Sequence, residues 1–135
     1  MLAGEIERAR RADGKLVLAF VDVDSLREVN NRDGHSAGDA LLRNVVSEIR
    51  SKMRSYEPIV RYGGDEFVCA MSGIDIGQAE DRFMTIREKL LADPASGAIS
   101  VGLAELRAED DLTGLVARAD GALLDARRGQ PPGGN

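Results

Sequence analysis

Apolar residues recur at intervals of three and four along five stretches of the chain, a spacing that predicts amphipathic helices. The first helix is expected over residues 2–12, before the break "ADG". A short helix in "SLREVNNRDG" is expected to end at Gly34, since glycine commonly terminates helices. A long helix is predicted from about Ser36 to Arg54. Two further helices are marked by the apolar positions within residues 79–90 and 112–126.

Four stretches have the pattern of strands. "KLVLAFVDVD" is apolar on both faces until it ends in acid, as in a central strand. "IVRY" and "FVCAM" are predicted to form a β-hairpin joined by the four residues Gly63 to Glu66. "GAISVGLAEL" alternates between polar and apolar and predicts a fourth strand. The order of these elements predicts an α+β fold with a ferredoxin-like, mainly antiparallel central sheet and helices packed on it.

Length, charge and cysteine content narrow the function classes. A chain of 135 residues fits one domain, expected over residues 1–128, with "GQPPGGN" at 129–135 as a flexible tail. The net charge of −5 disfavours nucleic acid as a partner, and none is expected. Cys69 is the only cysteine, which fits a reducing cytoplasm. The apolar run at 16–21 is too short to span a bilayer, so the domain is predicted to be cytoplasmic even if its parent protein is membrane-anchored.

Carboxylates occur at two places that a ferredoxin-like sheet can bring to one edge. Asp22 and Asp24 end the first strand and share a face, because alternate strand residues point the same way. Asp65 and Glu66 lie at the predicted hairpin tip. Carboxylates that lie together repel one another and favour bound cations. Mg²⁺ prefers oxygen ligands and commonly uses one or two carboxylates with substrate phosphates, so the pattern favours phosphoryl chemistry.

The glycines of "RYGGDEF" fit the same interpretation. Gly63 and Gly64 are expected to turn the backbone at positive φ and to let a phosphate or sugar approach closely. The alternative is an ordinary solvated hairpin turn with no function. His35 is expected to be a structural residue at a helix start, and Cys69 is expected to face the core, so neither supports nucleophilic catalysis.

Several ordered motifs together resemble one family. "RYGGDEF" is preceded by "DVD" and "VNNRDGHSAGD" and followed by "ISVGLA" and "ARADGALLDAR". This arrangement, from about Leu2 to Arg128, resembles the GGDEF family of diguanylate cyclases. The resemblance implies a catalytic palm related to nucleotide cyclases and polymerases. It also implies the condensation of two GTP into cyclic di-GMP, with release of two pyrophosphates.

The resemblance implies a metal site with two Mg²⁺ or Mn²⁺ ions. Asp22 and Asp65 would hold the ions, with the Val23 carbonyl as a further ligand. Glu66 would support the metal or accept the proton of the ribose 3′-hydroxyl. Asp24 would be structural support. The implied catalytic residues are therefore Asp22, Asp65 and Glu66.

The resemblance also implies a substrate site for GTP. Its residues are Asn30 and Asp39 at guanine, Gly63 and Gly64 along the nucleotide, and Arg27 and Arg127 at the phosphates. A carboxylate at Asp39 can accept hydrogen bonds from N1–H and the exocyclic amine of guanine, a pair that adenine lacks. Both arginines stand where the family usually has lysine, and Gly129 comes one residue early in the last motif.

"RSYE" lies where the family often has RxxD, an inhibitory site for its product. Arg54 and Glu57 would bind cyclic di-GMP there, with Arg87 of the facing helix as a second phosphate contact. The alternative is a helix end with a surface ion pair, which contributes little.

Two hypotheses for function remain open at this stage. The enzyme would be a homodimer, because each domain holds one GTP and the two must face each other around a two-fold axis. An upstream sensor or dimerisation domain would supply that pairing, since the chain lacks the family's "DxLTGLxNR" segment before Leu2 and looks like an excised domain. The alternative is a non-catalytic regulatory module that binds GTP or cyclic di-GMP. The intact "GGDEF" and Asp22 favour the enzyme.

Overall fold

The computed structural model describes residues 1–93 and 97–129. Within these ranges the elements are α1 Leu2–Arg11, β1 Leu16–Val23, α2 Leu26–Asp33, α3 His35–Ser51, β2 Ile59–Arg61, β3 Glu66–Ser72, α4 Ile76–Leu91, β4 Ile99–Glu105 and α5 Leu112–Arg128. Every predicted helix and strand is present, in the predicted order. Gly34 ends α2 with a φ of 89°, and α3 begins at His35. The predicted tail lies outside the described residues from position 130 onward.

The four strands form one sheet in the order β2-β3-β1-β4, and each neighbouring pair is antiparallel. β1 is central because its side chains are apolar on both faces, and it is buried over nearly its whole length. This is the α+β, ferredoxin-like palm predicted from the pattern. None of the helices in the described ranges has the length and apolar composition needed to span a membrane.

The two faces of β1 contribute to separate cores. Val17, Ala19 and Val21 pack on one face with residues of α2, α3 and α4, whereas Leu18 and Phe20 pack on the other face with α1 and α5. Asp22 follows Phe20 by two residues and therefore points to the α5 side. The cores thus place the carboxylates that end β1 on the side of the sheet that α5 covers.

Cys69 lies in β3 and is fully buried, as expected. Burial raises the pKa of its thiol to about 12, so the group is neutral at physiological pH. A buried neutral thiol is inert, so Cys69 does not act as a nucleophile.

Gly102 sets how closely α5 approaches the sheet. A Cβ atom at this position would lie 2.1 Å from the carbonyl oxygen of Ala119 and 2.3 Å from the backbone nitrogen of Leu123. The helix backbone therefore rests directly on β4, and only glycine leaves room for it. This contact gives a physical reason for the glycine in "ISVGLA" and fixes the direction in which the end of α5 points.

Candidate functional site

Three carboxylates meet where β1 ends and the hairpin turns. Asp22 in β1 lies directly opposite Glu66 in β3, and the N–H of Val23 donates to the Asp65 carbonyl at 2.8 Å. One carboxylate oxygen from each of Asp22, Asp65 and Glu66 can be chosen so that all three lie within 4.8 Å of one another. All three residues are half-buried. The structure therefore brings together the side chains that the sequence proposed as metal ligands, with the Val23 backbone beside them.

The cluster is electrostatically unfavourable without a cation. Burial and the neighbouring charge of Asp65 raise the pKa of Asp22 above its ordinary value, against the opposing effect of Arg127. Carboxylate oxygens are the donors that hard divalent cations prefer. The composition and spacing of this group fit such an ion, which would relieve the repulsion among the three charges.

Arg127 lies in the last turn of α5 and contacts two of the acids at the end of β1. Its guanidinium donates to Asp24 at 2.6 Å and lies 3.1 Å from Asp22. The hydroxyl of Ser100 in β4 donates to both oxygens of Asp24, at 2.9 and 2.7 Å. Asp24 is therefore bound to protein groups, which fits its predicted supporting role. Ser100 was not singled out from the sequence, and a serine inside an alternating strand carries no signal of this contact.

The backbone conformation of the two glycines in the turn differs from the prediction. Neither Gly63 nor Gly64 has a positive φ. A Cβ atom at Gly63 would lie 2.6 Å from Oε1 of Glu66, whereas at Gly64 it would meet nothing within 4 Å. A side chain at Gly63 would push the Glu66 carboxylate aside, and Gly64 leaves the surface of the turn open.

Arg61 supports this turn from inside the motif. Its side chain donates to the carbonyl oxygens of Gly63 at 3.1 Å and Gly64 at 2.6 Å. This role of the arginine in "RYGGDEF" was not predicted from the sequence. These bonds hold the backbone that carries Asp65.

Of the two proposed guanine residues, Asn30 lies in α2 and Asp39 lies in α3. Asn30 packs so closely on Gly38 that a Cβ atom there would lie 1.7 Å from Oδ1 of Asn30. Asp39, the next residue, is exposed. Arg27 is exposed on α2 and makes no ion pair or hydrogen bond with another described residue. The backbone thus places Asn30 beside the start of the segment that carries Asp39.

"RSYE" is arranged differently from the implied product site. Glu57 is fully buried, and its carboxylate accepts hydrogen bonds from the backbone N–H groups of Arg54 at 2.7 Å and Ser72 at 3.1 Å. Arg82 of α4 forms an ion pair with it at 3.2 Å. The Glu57 carboxylate, which the resemblance implied would bind cyclic di-GMP, therefore faces the interior and is bound to protein donors in this structure.

The two arginines of the implied product site have different surroundings. Arg54 donates to the Ser72 carbonyl and the Tyr56 hydroxyl. Arg87 lines a groove between α4, β4 and α5, and Arg54 is not among the residues that line it. Product binding by Arg54 and Arg87 stays a prediction.

Comparison with known proteins identifies the family. The family model described as "Diguanylate cyclase, GGDEF domain" matches residues 1–131. The chain is 30% identical over 134 residues to diguanylate cyclase DgcP of Pseudomonas aeruginosa, covering 94% of this chain and 20% of that protein. It is 32% identical over 132 residues to diguanylate cyclase DosC of Escherichia coli, covering 92% of this chain and 29% of that protein. The chain thus spans less than a third of these relatives.

Comparison with solved structures identifies the same family. The structure is similar to the GGDEF domain of DgcB from Caulobacter crescentus, which was solved in complex with cyclic di-GMP. The two match with a TM-score of 0.85 at 25% identity, over 95% of this chain and 81% of the other. The match supports the nucleotide-cyclase palm expected from the motifs. With the family model covering nearly its whole length, the chain belongs to the GGDEF domain family of diguanylate cyclases.

Proposed function

We propose that this domain condenses two GTP into cyclic di-GMP and two pyrophosphates. The observation that carries the proposal is the group of Asp22, Asp65 and Glu66, whose carboxylate oxygens converge at the turn of the GGDEF motif. Curated relatives with 30–32% identity are diguanylate cyclases, which favours the enzyme over a regulatory module.

Asp22, Asp65 and Glu66 would hold Mg²⁺ or Mn²⁺, with the Val23 carbonyl as an added ligand and two ions per site. GGDEF cyclases use divalent metals generally, and the cluster has the oxygen donors such ions require. When bound, the cations offset the charge of the triphosphate and of the departing pyrophosphate.

Each condensation forms a bond between a ribose 3′-oxygen and the α-phosphorus of the other nucleotide and breaks the bond to pyrophosphate. Glu66 is assigned to receive the proton that the 3′-hydroxyl loses, besides supporting the metal. Gly64 leaves open surface where the nucleotide would lie. Arg27 and Arg127 are assigned to the phosphates, where a guanidinium can donate two hydrogen bonds at once.

Guanine is assigned to Asn30 and Asp39. Asp39 is exposed and next to the residue on which Asn30 packs, so both can face one base. A site that hydrogen-bonds a particular base edge rejects a base without it, because its own polar groups are then left unpaired. The domain should therefore prefer GTP to ATP.

Catalysis is assigned to a two-fold pair of domains, since the residues that the structure describes contain one such carboxylate site and the product joins two nucleotides. The relatives are several times longer than this chain, which leaves room for a sensor or dimerisation domain in a longer parent. A cytoplasmic location is part of the proposal because GTP is a cytoplasmic nucleotide.

The test is to fuse the domain to a two-stranded coiled coil, incubate it with GTP and Mg²⁺, and analyse the products by chromatography and mass spectrometry. Cyclic di-GMP and pyrophosphate in a 1:2 ratio are expected. Binding of GTP or cyclic di-GMP without turnover, in a fusion shown to be dimeric, would favour the regulatory module instead.

A further inference from the structure

Arg127 contacts Asp22, which is also a member of the carboxylate group assigned to the metal. Its guanidinium lies 3.1 Å from Asp22, which is itself within reach of Asp65 and Glu66. A divalent ion on Asp22 would therefore lie close to the positive charge of Arg127, and like charges at such separations repel. Metal and Arg127 compete for the same carboxylate.

We infer that Arg127 is an internal counter-cation of the carboxylate group. Its guanidinium rests on Asp22 and Asp24 until a divalent ion and the phosphates of the nucleotide replace both of these contacts. The inference rests on the proposed function. It adds a second position for Arg127 and makes metal binding dependent on nucleotide binding.

Asp24 provides the resting position. Arg127 lies closer to Asp24, at 2.6 Å, than to Asp22. Ser100 donates to both Asp24 oxygens, which holds the carboxylate in one orientation toward α5. Asp24 and Ser100 are therefore positioning residues: they keep Arg127 beside the metal ligands without being ligands themselves.

Arg127 is also free to leave. Its side chain is 39% exposed and lies in the last turn of α5, next to the end of the helix. A phosphate can accept two parallel hydrogen bonds from a guanidinium, at least as favourable as the two single contacts it makes at rest. An ion that displaces Arg127 from Asp22 without a phosphate leaves it the Asp24 contact alone, so the ion on its own displaces it at a cost.

The consequence is positive coupling between the two ligands. A divalent ion alone must displace Arg127 from Asp22, whereas a nucleotide supplies a replacement anion. By linkage, each ligand then raises the affinity of the other beyond what direct contact between them gives.

The test is a titration of the domain with Mn²⁺ in the absence of nucleotide, in which the free ion is measured by electron paramagnetic resonance. Arg127→Ala should bind Mn²⁺ about fivefold more tightly than wild type, the upper range for a partly exposed ion pair. Arg128→Ala is the matched control, because it removes the same charge one residue away from a side chain that is 76% exposed and paired with Asp125. Arg128→Ala should change the affinity by less than about twofold.

A second titration uses a non-hydrolysable GTP analogue at saturating Mn²⁺, where Arg127→Ala should bind the analogue more weakly than wild type and Arg128→Ala should not. Tighter Mn²⁺ binding together with weaker analogue binding would not arise if Arg127 had a purely structural role. Unchanged or weaker Mn²⁺ binding by Arg127→Ala overturns the counter-cation role, and unchanged analogue binding overturns its transfer to phosphate.

Asp65→Ala tests the proposed metal site separately from the counter-cation role of Arg127. Loss of Mn²⁺ binding in this variant supports the metal assignment. Wild-type Mn²⁺ binding by Asp65→Ala overturns the proposed metal site, and the counter-cation role falls with it. If Asp65→Ala loses Mn²⁺ binding but Arg127→Ala does not bind Mn²⁺ more tightly, the counter-cation role alone is overturned.

Discussion

Asp22 and Glu66 occupy directly opposite positions in the β1–β3 ladder, with both side chains on the side of the sheet that faces α5. Like charges in such positions destabilise an antiparallel pair. Asp65, at the adjoining turn, adds a third carboxylate. The fold thus maintains a local repulsion at the point where the family motif lies, which is the expected mark of a site that operates with bound cations.

Asp22→Asn should make the metal-free domain more stable relative to wild type as the pH rises. Burial and Asp65 raise the pKa of Asp22 above 3.8 in the folded state. Protonated Asp22 therefore favours folding at low pH, and this contribution is lost as the pH rises through the folded pKa. Asparagine does not ionise, so the difference in melting temperature between variant and wild type should grow toward neutral pH in EDTA.

Asp125→Asn is the control for that series, since Asp125 is exposed and its ion-pair partner among the described residues is its helix neighbour Arg128. It should show no comparable trend with pH. A difference for Asp22→Asn that shrinks on going from acid to neutral pH would contradict the account of the cluster.

Gly102→Ala should destabilise the domain and move α5. The added methyl group would collide with the backbone of Ala119 and Leu123, and backbone cannot rotate away as a side chain can. Overpacking of this kind costs about 1–3 kcal/mol or more. Urea unfolding measures the cost, with Gly121→Ala as the matched control.

Gly121 lies inside α5, and a Cβ atom there would meet nothing within 4 Å. Its replacement by alanine should stabilise the helix by about 0.5–1 kcal/mol. Equal stabilities for the Gly102 and Gly121 variants would show that α5 does not rest on β4 as described.

Gly38→Ala should weaken the preference for GTP over ATP while leaving the fold intact. The new methyl group would displace the amide of Asn30, a flexible side chain that can turn away from the proposed base. Calorimetry with GTP and ATP measures the preference, and Gly4→Ala in α1, where a Cβ atom has open space, is the control. An unchanged preference would remove Asn30 from the guanine site.

Glu57→Ala should destabilise the domain strongly. The substitution leaves Arg82 and two backbone N–H groups without their buried partner. Removal of one member of a buried ion pair costs about 3–5 kcal/mol. Glu57→Gln keeps the shape and one acceptor oxygen and should cost less. Near-wild-type stability of Glu57→Ala in urea unfolding would argue that the carboxylate is a surface group.

The secondary structure was predictable because its signals are local. β1 is apolar on both faces and the helices have regular apolar spacing, so their types and order follow from short windows of sequence. The hairpin was predictable for the same reason, with one shift: Glu66 begins β3 instead of belonging to the turn. That shift places Glu66 opposite Asp22.

The details of the site depend on contacts between distant residues. Burial of Glu57 requires Arg82, which is 25 residues further along the chain, and no local pattern in "RSYE" distinguishes a buried carboxylate from an exposed one. The contact between Arg127 and Asp24 spans 103 residues and depends on how Gly102 seats α5. The close approach of the Glu66 side chain to Gly63 is seen only in the structure, because a sequence shows which residues are glycine but not what approaches them.

The most direct test of the central claim is product formation by isosteric variants of the carboxylate cluster, each fused to the same two-stranded coiled coil and supplied with GTP and Mg²⁺. Asp65→Asn and Glu66→Gln keep the shape of the side chains and remove one charge each, so melting temperature in EDTA should hold or rise. Cyclic di-GMP should form with the wild-type fusion and be absent with either variant. Product at near-wild-type rates from both folded variants would contradict the assignment of this cluster as the catalytic centre.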